Sequence, residues 1–382
     1  MHLQSSSKIP HGQLGIIALK SCNGLGSRID KHIIELRKNN FSSEESFYLD
    51  ELKDSYLIPC QCIRFSNGEG KVILDETVRG KDIYVLSDVG NYNCTYDMFG
   101  ITNHMGPDEH FQDIKRAISA IAGKARRITV IMPLLYASRQ HKRKGRESLD
   151  CSIALQELER LGVQDIITFD AHDPRIENCI PRIGFDNLNS TYKIIKSIIE
   201  NETDLTLDKS KMMVISPDTG GMDRAIYYAS VLGVDVGLFY KRRDYTRVVN
   251  GKNPIVQHEY IGADVSGKDV LVVDDMVASG ESIIDIAKQL KKRNTRNIYV
   301  AATFAMFTEG ISHFNECYKN GYIKRLYSTN LTYVPEEAKQ TEWYREVDMS
   351  DVLANVINRL NYDDSIAHLY DATEGINKLL SR

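Results

Sequence analysis

The sequence predicts an α/β protein with mainly parallel sheets and room for two domains. Three observations predict it. Short β-branched runs alternate with amphipathic helical patterns along almost the whole chain, the pattern of βαβ units. Several of those runs are apolar on both faces, as strands are when helices cover a parallel sheet from both sides. The chain has 382 residues, 42 % of them hydrophobic, enough for two cores of ordinary size.

In chain order, strands are expected over 14–20, 83–89, 128–135, 165–171, 212–218, 236–241, 270–275 and 298–304. Helices fall between them. Phe111, Ile114, Ile118 and Ile121 share one helical face, and Ile283, Ile286, Ala287 and Leu290 share another. Residues 91–108 are rich in Gly, Asn and Asp and read as a long loop. Residues 201–210 form a polar connection, and 244–260 form a second long polar segment. Two helices are expected after Ser350, with Val352, Val356 and Leu360 on one face.

Composition narrows the function. A net charge of -4 provides no general basic field, which argues against a nucleic-acid partner. The seven cysteines are scattered and odd in number, and the closest pair, Cys60 and Cys62, lacks neighbours at zinc spacing. They read as reduced thiols of a cytosolic protein. No apolar run approaches the roughly 18 residues that cross a bilayer, and the polar stretch 1–10 lacks a signal-peptide core. The expectation is a cytoplasmic protein without a membrane partner.

Ligands of open parallel sheets bind beyond the carboxyl ends of the strands. Three expected strands end in acidic or metal-competent groups: Asp170-Ala171-His172, Ser216-Pro217-Asp218-Thr219-Gly220-Gly221, and Asp274-Asp275. The last is the most informative. The apolar run 270–273 leads into Asp274 and Asp275, a small-residue turn with Ser279 and Gly280, and an amphipathic helix that includes Ser282. The paired acids suit vicinal hydroxyls or a hydrated cation. The turn and helix start suit a phosphate, because the first N–H groups of a helix lack intrahelical partners. A ribose phosphate satisfies both halves.

This segment resembles the phosphoribosyl-diphosphate signature shared by type I phosphoribosyltransferases and ribose-phosphate diphosphokinases. Further motifs select the second family. Arg64-Phe65-Ser66-Asn67-Gly68-Glu69 is similar to its ATP-contacting loop, and Val78-Arg79-Gly80-Lys81-Asp82 to the turn after it. Tyr136-Ala137-Ser138-Arg139-Gln140, with Arg146-Glu147, is similar to its second nucleotide-binding stretch. Ser216 to Gly221 and Lys241-Arg242-Arg243 follow in order, so the likeness runs from about Gly15 to Leu369.

The resemblance implies two tandem phosphoribosyltransferase-like subdomains: 1–188 binding ATP, with 346–382 returning to it as helices, and 189–345 binding ribose phosphate. It implies a Mg2+-dependent transfer of diphosphate from ATP to ribose 5-phosphate, in a homo-oligomer that the family builds as a hexamer. Phe65, Asn67, Glu69, Arg139 and Gln140 would bind ATP. Asp218, Gly220, Gly221, Asp274, Asp275, Ser279, Gly280 and Ser282 would bind ribose phosphate, with the two Asp218-loop glycines offering N–H groups to the diphosphate. Asp170, His172 and Asp218 would serve the metal. Lys241, Arg243 and His172 would act on the transferring phosphates, where catalysis is mainly positioning and neutralisation of charge.

Several positions depart from the family pattern. Asn67 and His141 stand where Asp is usual, Ser138 is an added residue, Ala278 replaces Asp, and Glu281 replaces Gly. A carboxylate 5 Å from a phosphate costs roughly 3 kcal/mol per charge pair at an effective dielectric of about 20. Glu281 is therefore expected to point along the helix toward solvent. The segment 91–108 also differs, where the family often builds allosteric and intersubunit surface. These departures motivate a second reading, a catalytically silent regulatory homologue. A phosphoribosyltransferase without an ATP site is a third. A P-loop kinase is excluded, because no G-x-x-x-x-G-K-[ST] occurs.

Overall fold

The computed structural model describes residues 9–40, 52–143, 145–243, 255–370 and 373–380, with backbone alone at 40, 241–243 and 255–258. Two compact units emerge: Met1–Asn189 with Leu331–Tyr333 and Asp348–Asp371, and Ser190–Asn330 with Val334–Val347 and Ala372–Arg382. Among the described residues, no helix is long and apolar enough to cross a membrane.

The first unit contains β1 (Leu14–Ala18), α1 (Asn23–Asn40), β2 (Cys60–Arg64), β3 (Gly70–Leu74), β4 (Asp82–Leu86), β5 (Thr95–Met98), β6 (Ile101–His104), α2 (Pro107–Ile121), β7 (Arg127–Ile131), α3 (Asp150–Arg160), β8 (Asp165–Phe169) and β9 (Gly184–Leu188). Five of these strands form one parallel sheet in the order β1-β4-β7-β8-β9. Consecutive residues such as Ile16 and Ile17, Ile83 to Leu86, and Ile166 and Ile167 are all fully buried, so both faces of the sheet are covered. The other strands form two separate antiparallel ribbons, β2-β3 and β5-β6.

The second ribbon corrects the expectation of a loop over 91–108. Its tip, Phe99-Gly100, has positive φ at both residues, as a two-residue hairpin turn requires. Thr95, Asp97, Thr102 and Asn103 carry too little apolar alternation to announce a strand.

The second unit contains α4 (Thr191–Asn201), β10 (Met212–Ser216), α5 (Met222–Leu232), β11 (Asp235–Arg243), β12 (Ile255–Ile261), β13 (Asp269–Val277), α6 (Glu281–Lys292), β14 (Ile298–Ala305), α7 (Ser312–Lys319), β15 (Arg325–Thr329), α8 (Glu336–Lys339) and β16 (Tyr344–Val347). Its seven-stranded sheet runs β12-β11-β10-β13-β14-β15-β16, parallel except for β12. Part of the polar segment 244–260 is thus the edge strand β12, and 244–254 lie outside the described residues. Val270 to Val273 are buried on alternate faces, and an aromatic cluster of Phe307, Phe314, Trp343 and Tyr344 closes one end of the core.

Among the described residues, three helices rather than two run from Ser350 onward: α9 (Ser350–Asn361), α10 (Ala367–Tyr370) and α11 (Thr373–Leu380). The buried face of α9 is Leu353, Ala354, Val356 and Ile357, while Val352 and Leu360 are only half-buried. Polar bonds anchor this helix in the first unit. Arg37, almost wholly buried, donates to Asn358 Oδ1 at 2.9 Å and to Asn361 Oδ1 at 2.7 Å. Asn361 donates in turn to the buried Asp82, which also receives a two-pronged bond from Arg127. α11 behaves differently from the expectation for 346–382. It packs on α4 and α5 of the second unit, with Gly375 against the Tyr192 ring.

Asp165 on β8 sits opposite Gly184 of β9, where a Cβ would fall 2.6 Å from its Oδ1. Burial, then the charge of Asp186, pushes its carboxyl up to about 7; Arg127 opposes the shift. Tyr370 donates to the same Asp186. A carboxyl whose folded pKa is raised stabilises the fold fully below its ordinary value near 4 and loses that contribution as pH climbs to about 7. The thermal midpoint is therefore expected to fall between pH 5 and pH 8. Asp165→Asn, which cannot ionise, should flatten that decline when both proteins are melted across the same buffers.

Candidate functional site

The Asp274–Ser282 segment is built as strand, turn and helix. β13 runs two residues past the expected 270–275, so Asp274 and Asp275 lie inside the strand near its end, with Asp274 opposite Ala302 of β14. Local amides hold the carboxylates: Asp275 N–H donates to Asp274 Oδ1 at 2.9 Å and Met276 N–H to Asp275 Oδ1 at 3.0 Å. Burial, then the adjacent Asp275 charge, raises Asp274 well above the usual carboxylate range. Arg224, from the first turns of α5, stands 4.0 Å from Asp275 Oδ1 and offsets part of that shift. The sequence reading missed Arg224. Its position shortly after Gly221 was the available signal.

Gly280 caps α6 with φ +86, a left-handed conformation that glycine accepts freely. There is also no space for a side chain, because a Cβ would stand 2.3 Å from the ring of Phe314. Phe314 itself is stacked on Trp343 at 5.3 Å. Ser279 Oγ accepts from Glu281 N–H at 3.5 Å, and Ser282 lies in the first helical turn. Backbone amides of this turn thus point along the start of an amphipathic helix, the usual seat for an anion.

Glu281 is exposed and lines a groove of about 450 Å³ between α6 and α7, together with Ile284, Asp285, Lys288, His313 and Cys317. Its exposure agrees with the expectation of a solvent-facing side chain. If this turn seats the ribose 5-phosphate that the resemblance implies, Glu281→Gly should leave the KM for it within about twofold of the parent, since an exposed charge is screened by solvent. A large fall in KM would show that the carboxylate faces the phosphate.

The loop after β10 requires a correction. Gly220 and Gly221 donate to Asp218 Oδ1 at 2.9 and 3.2 Å, and Ser216 Oγ donates to Asp218 O at 2.7 Å. The two amides assigned to a diphosphate are engaged by Asp218 in this conformation. Such a turn is what an Asp two residues ahead of a glycine favours. A bound anion would have to replace Asp218 at those donors.

In the first unit, Asp170 follows β8 in a left-handed conformation, φ +41, and donates its N–H to Leu188 O at 2.8 Å. The next amide, of Ala171, donates to Asn187 Oδ1 at 2.9 Å. His172 is exposed, with its ring 5.5 Å from that of His141. His141 Nε2 in turn lies 3.2 Å from Asp173 Oδ2, without hydrogen-bond alignment. Asp173 is held well below the carboxylate range, chiefly by its bonds to Arg175. Arg139 and Gln140 form a short helical turn with Ser138, entered through Ala137 at φ +52.

Phe65 to Glu69 is the turn of the β2-β3 ribbon. Phe65 is 46 % exposed and so available to a planar ligand, with the Lys71 ammonium 5.6 Å from its ring centre. Asn67 Nδ2 donates to Glu69 Oε2 at 3.0 Å, and Glu69 N–H donates to Asn67 Oδ1 at 3.1 Å. An Asp at position 67 could not make the first of these bonds. Lys241 and Arg243 end β11, and their side chains lie outside the described residues.

The expected metal ligands are divided between units: Asp170 and His172 belong to the first, Asp218 to the second. Among the described residues, no three His, Cys, Asp or Glu side chains are grouped to hold a metal.

Comparison with known proteins gives these features a common context. Residues 14–162 match the N-terminal domain of ribose phosphate pyrophosphokinase, and residues 185–318 match the phosphoribosyl transferase domain. A ribose-phosphate pyrophosphokinase of Mycoplasma genitalium is 27 % identical over 315 residues, covering 81 % of this chain and 86 % of its own. That of Chromobacterium violaceum is 28 % identical over 311 residues, covering 81 % and 86 %. A crystal structure of phosphoribosylpyrophosphate synthetase from Mycobacterium smegmatis shares the fold, with a TM-score of 0.72 and 22 % identity over 92 % of this chain and 99 % of that one. With both domains matched in sequence order and the acidic strand end and glycine-capped helix in place, the chain belongs to the ribose-phosphate pyrophosphokinase family.

Proposed function

We propose that this chain transfers the β,γ-diphosphoryl group of ATP to the 1-hydroxyl of ribose 5-phosphate, giving 5-phosphoribosyl 1-diphosphate and AMP. The observation that carries the reading is the Asp274–Ser282 segment: two carboxylates at a strand end, followed by a glycine-capped helix start. The carboxylates accept from the vicinal hydroxyls of ribose, and the helix start receives the 5-phosphate. Phe65 stacks on the base, Glu69 and Asn67 accept from and donate to its edge, and Arg139 and Gln140 contact the nucleotide phosphates. The 1-hydroxyl attacks the β-phosphorus and AMP leaves. Lys241 and Arg243 neutralise the oxygens on which charge accumulates.

Magnesium fits these residues. It keeps most of its waters and needs only one or two carboxylates when substrate phosphates supply the rest. Burial and the like charge of Asp275 raise the Asp274 carboxyl, and a nearby cation would favour its ionised form. Asp170 and His172 in the first unit, and separately Asp218 in the second, are the residues that would hold Mg2+. The ion would supply charge neutralisation to the phosphates. The seven free cysteines support a reducing compartment such as the cytoplasm. Assembly as a homo-oligomer, a hexamer by family resemblance, completes the proposal.

The test is AMP release from ATP by the purified protein, which should require both ribose 5-phosphate and Mg2+. AMP release without ribose 5-phosphate would overturn the reading. So would a silent protein that still binds ribose 5-phosphate, which is the outcome expected of a regulatory homologue.

A further inference from the structure

We propose that Cys62 is an oxidant-reactive thiol, and that its oxidised form is resolved by Cys60 into a disulfide within β2. Four of the seven cysteines gather around the segment that follows β1. Cys60 and Cys62 are two residues apart on β2, so their side chains leave the same face. That face meets the 18–20 backbone: the Cys60 thiol donates to Ala18 O at 3.5 Å, and the N–H of Lys20 reaches the Cys62 sulfur. The Lys20 ammonium spans from there to Thr95 O at 2.8 Å, beside the buried Cys94, and Cys22 lies buried two residues along. Arg64 continues the same face of β2, paired with Asp113 at 2.7 Å.

Cys62 differs chemically from every other cysteine of the chain. The neighbouring Cys60 thiol, then the Lys20 amide and the Arg64 charge, lower it to about 7 against the opposing effects of burial and Asp113. Cys60 is raised, chiefly by the neighbouring Cys62 sulfur, and Cys22, Cys94, Cys151, Cys179 and Cys317 are raised by burial. Cys62, partly buried on the face it shares with Cys60, is the one cysteine lowered rather than raised, which favours the thiolate that attacks peroxides.

The chemistry closes with a hydroperoxide as the oxidant. The Cys62 thiolate attacks one peroxide oxygen; the S–O bond forms, the O–O bond breaks, and the second oxygen leaves as an alcohol or water after taking a proton. Sulfur has then lost two electrons to the peroxide, as a sulfenic acid. The Cys60 sulfur attacks that sulfenic sulfur, S–S forms, S–O breaks, and water departs with the Cys60 proton.

The ribbon allows this closure. Residues two apart on an extended strand are about 6.6 Å apart between Cα atoms, at the upper end of disulfide geometry. Bridging therefore puckers β2 at the Cys62–Val72 pairing. A strand within the five-stranded sheet would resist that distortion, but among the described residues β2 pairs with β3 alone. The pucker lies three residues before Phe65, so oxidation should also disturb the turn assigned to ATP; this consequence rests on the proposed function, while the modification does not.

The experiment treats the full chain with a small molar excess of hydrogen peroxide and maps thiols by mass spectrometry without reduction. The expected product is a peptide with Cys60 and Cys62 joined, lighter by two hydrogens and restored by dithiothreitol. Cys60→Ser should stop at a sulfenic acid on Cys62, trapped by dimedone, and Cys62→Ser should abolish both products. In the untreated protein, iodoacetamide should label Cys62 roughly tenfold faster than Cys60 at pH 7. Circular dichroism confirms that each variant is folded. Preferential oxidation of another cysteine, or a bridge from Cys62 to Cys94, would overturn the assignment. A disulfide that forms while AMP release persists would refute only the link to ATP binding.

Discussion

Gly280→Ala is expected to destabilise the protein by roughly 2–4 kcal/mol and to raise the KM for ribose 5-phosphate at least tenfold. Two costs combine. An L-residue at φ +86 loses about 1–2 kcal/mol to steric strain. The new methyl also falls 2.3 Å from the Phe314 ring, and overpacking of that kind typically costs about 1–3 kcal/mol. Phe314 cannot simply rotate away, because it is fully buried between Phe307 and Trp343. The backbone of the turn must move instead, and with it the amides proposed to grip the phosphate. Urea denaturation and initial-rate kinetics measure the two effects. A double-mutant cycle with Phe314→Leu isolates the clash: the pair should be less destabilised than the sum of the single variants. Simple additivity, with ribose 5-phosphate affinity unchanged, would show that this turn is not the phosphate site.

Lys241→Ala should reduce kcat about 10²–10³-fold while ribose 5-phosphate binding, measured by calorimetry, stays within about twofold. Removing one pre-positioned donor to developing charge usually costs that much in turnover. Binding should persist because the residues proposed for ribose phosphate, Asp218 to Gly221 and Asp274 to Ser282, belong to other segments. A parallel fall in affinity would place Lys241 in ground-state binding rather than in the transition state. Lys241→Arg keeps the charge but changes its shape, and is expected to recover only part of the rate.

Local pattern revealed much of the architecture. All eight strands expected from sequence are present, because each carries β-branched or apolar residues on both faces, and continuous burial leaves that signature. Some of the strands that escaped notice are polar instead. β5 and β6 form a polar ribbon, and β15 and β16 bury hydroxyls that the sheet satisfies internally, as Ser328 and Tyr344 do with each other at 2.8 Å. The α9 face was misjudged for a related reason. Val352, Val356 and Leu360 repeat every four residues, but the helix turns its Leu353–Ile357 side inward to follow Arg37 and Asn361.

Within the site, the Asp-Asp strand end, the small-residue turn and the helix start are consecutive in the chain, so their order alone carried the chemistry. Their neighbours are not consecutive. Phe314 beneath Gly280, Arg224 beside Asp275, and the His141–Asp173 contact come from separate elements that packing brings together. Even within one loop, the choice of Asp218 as acceptor for the Gly220 and Gly221 amides depended on the path of the backbone after β10. Side-chain period and turn chemistry act over a few residues and are written along the chain. Which distant groups lie together, and hence which carboxyl is pushed up or which thiol is pulled down, depends on burial and proximity that exist only once the sheets have closed.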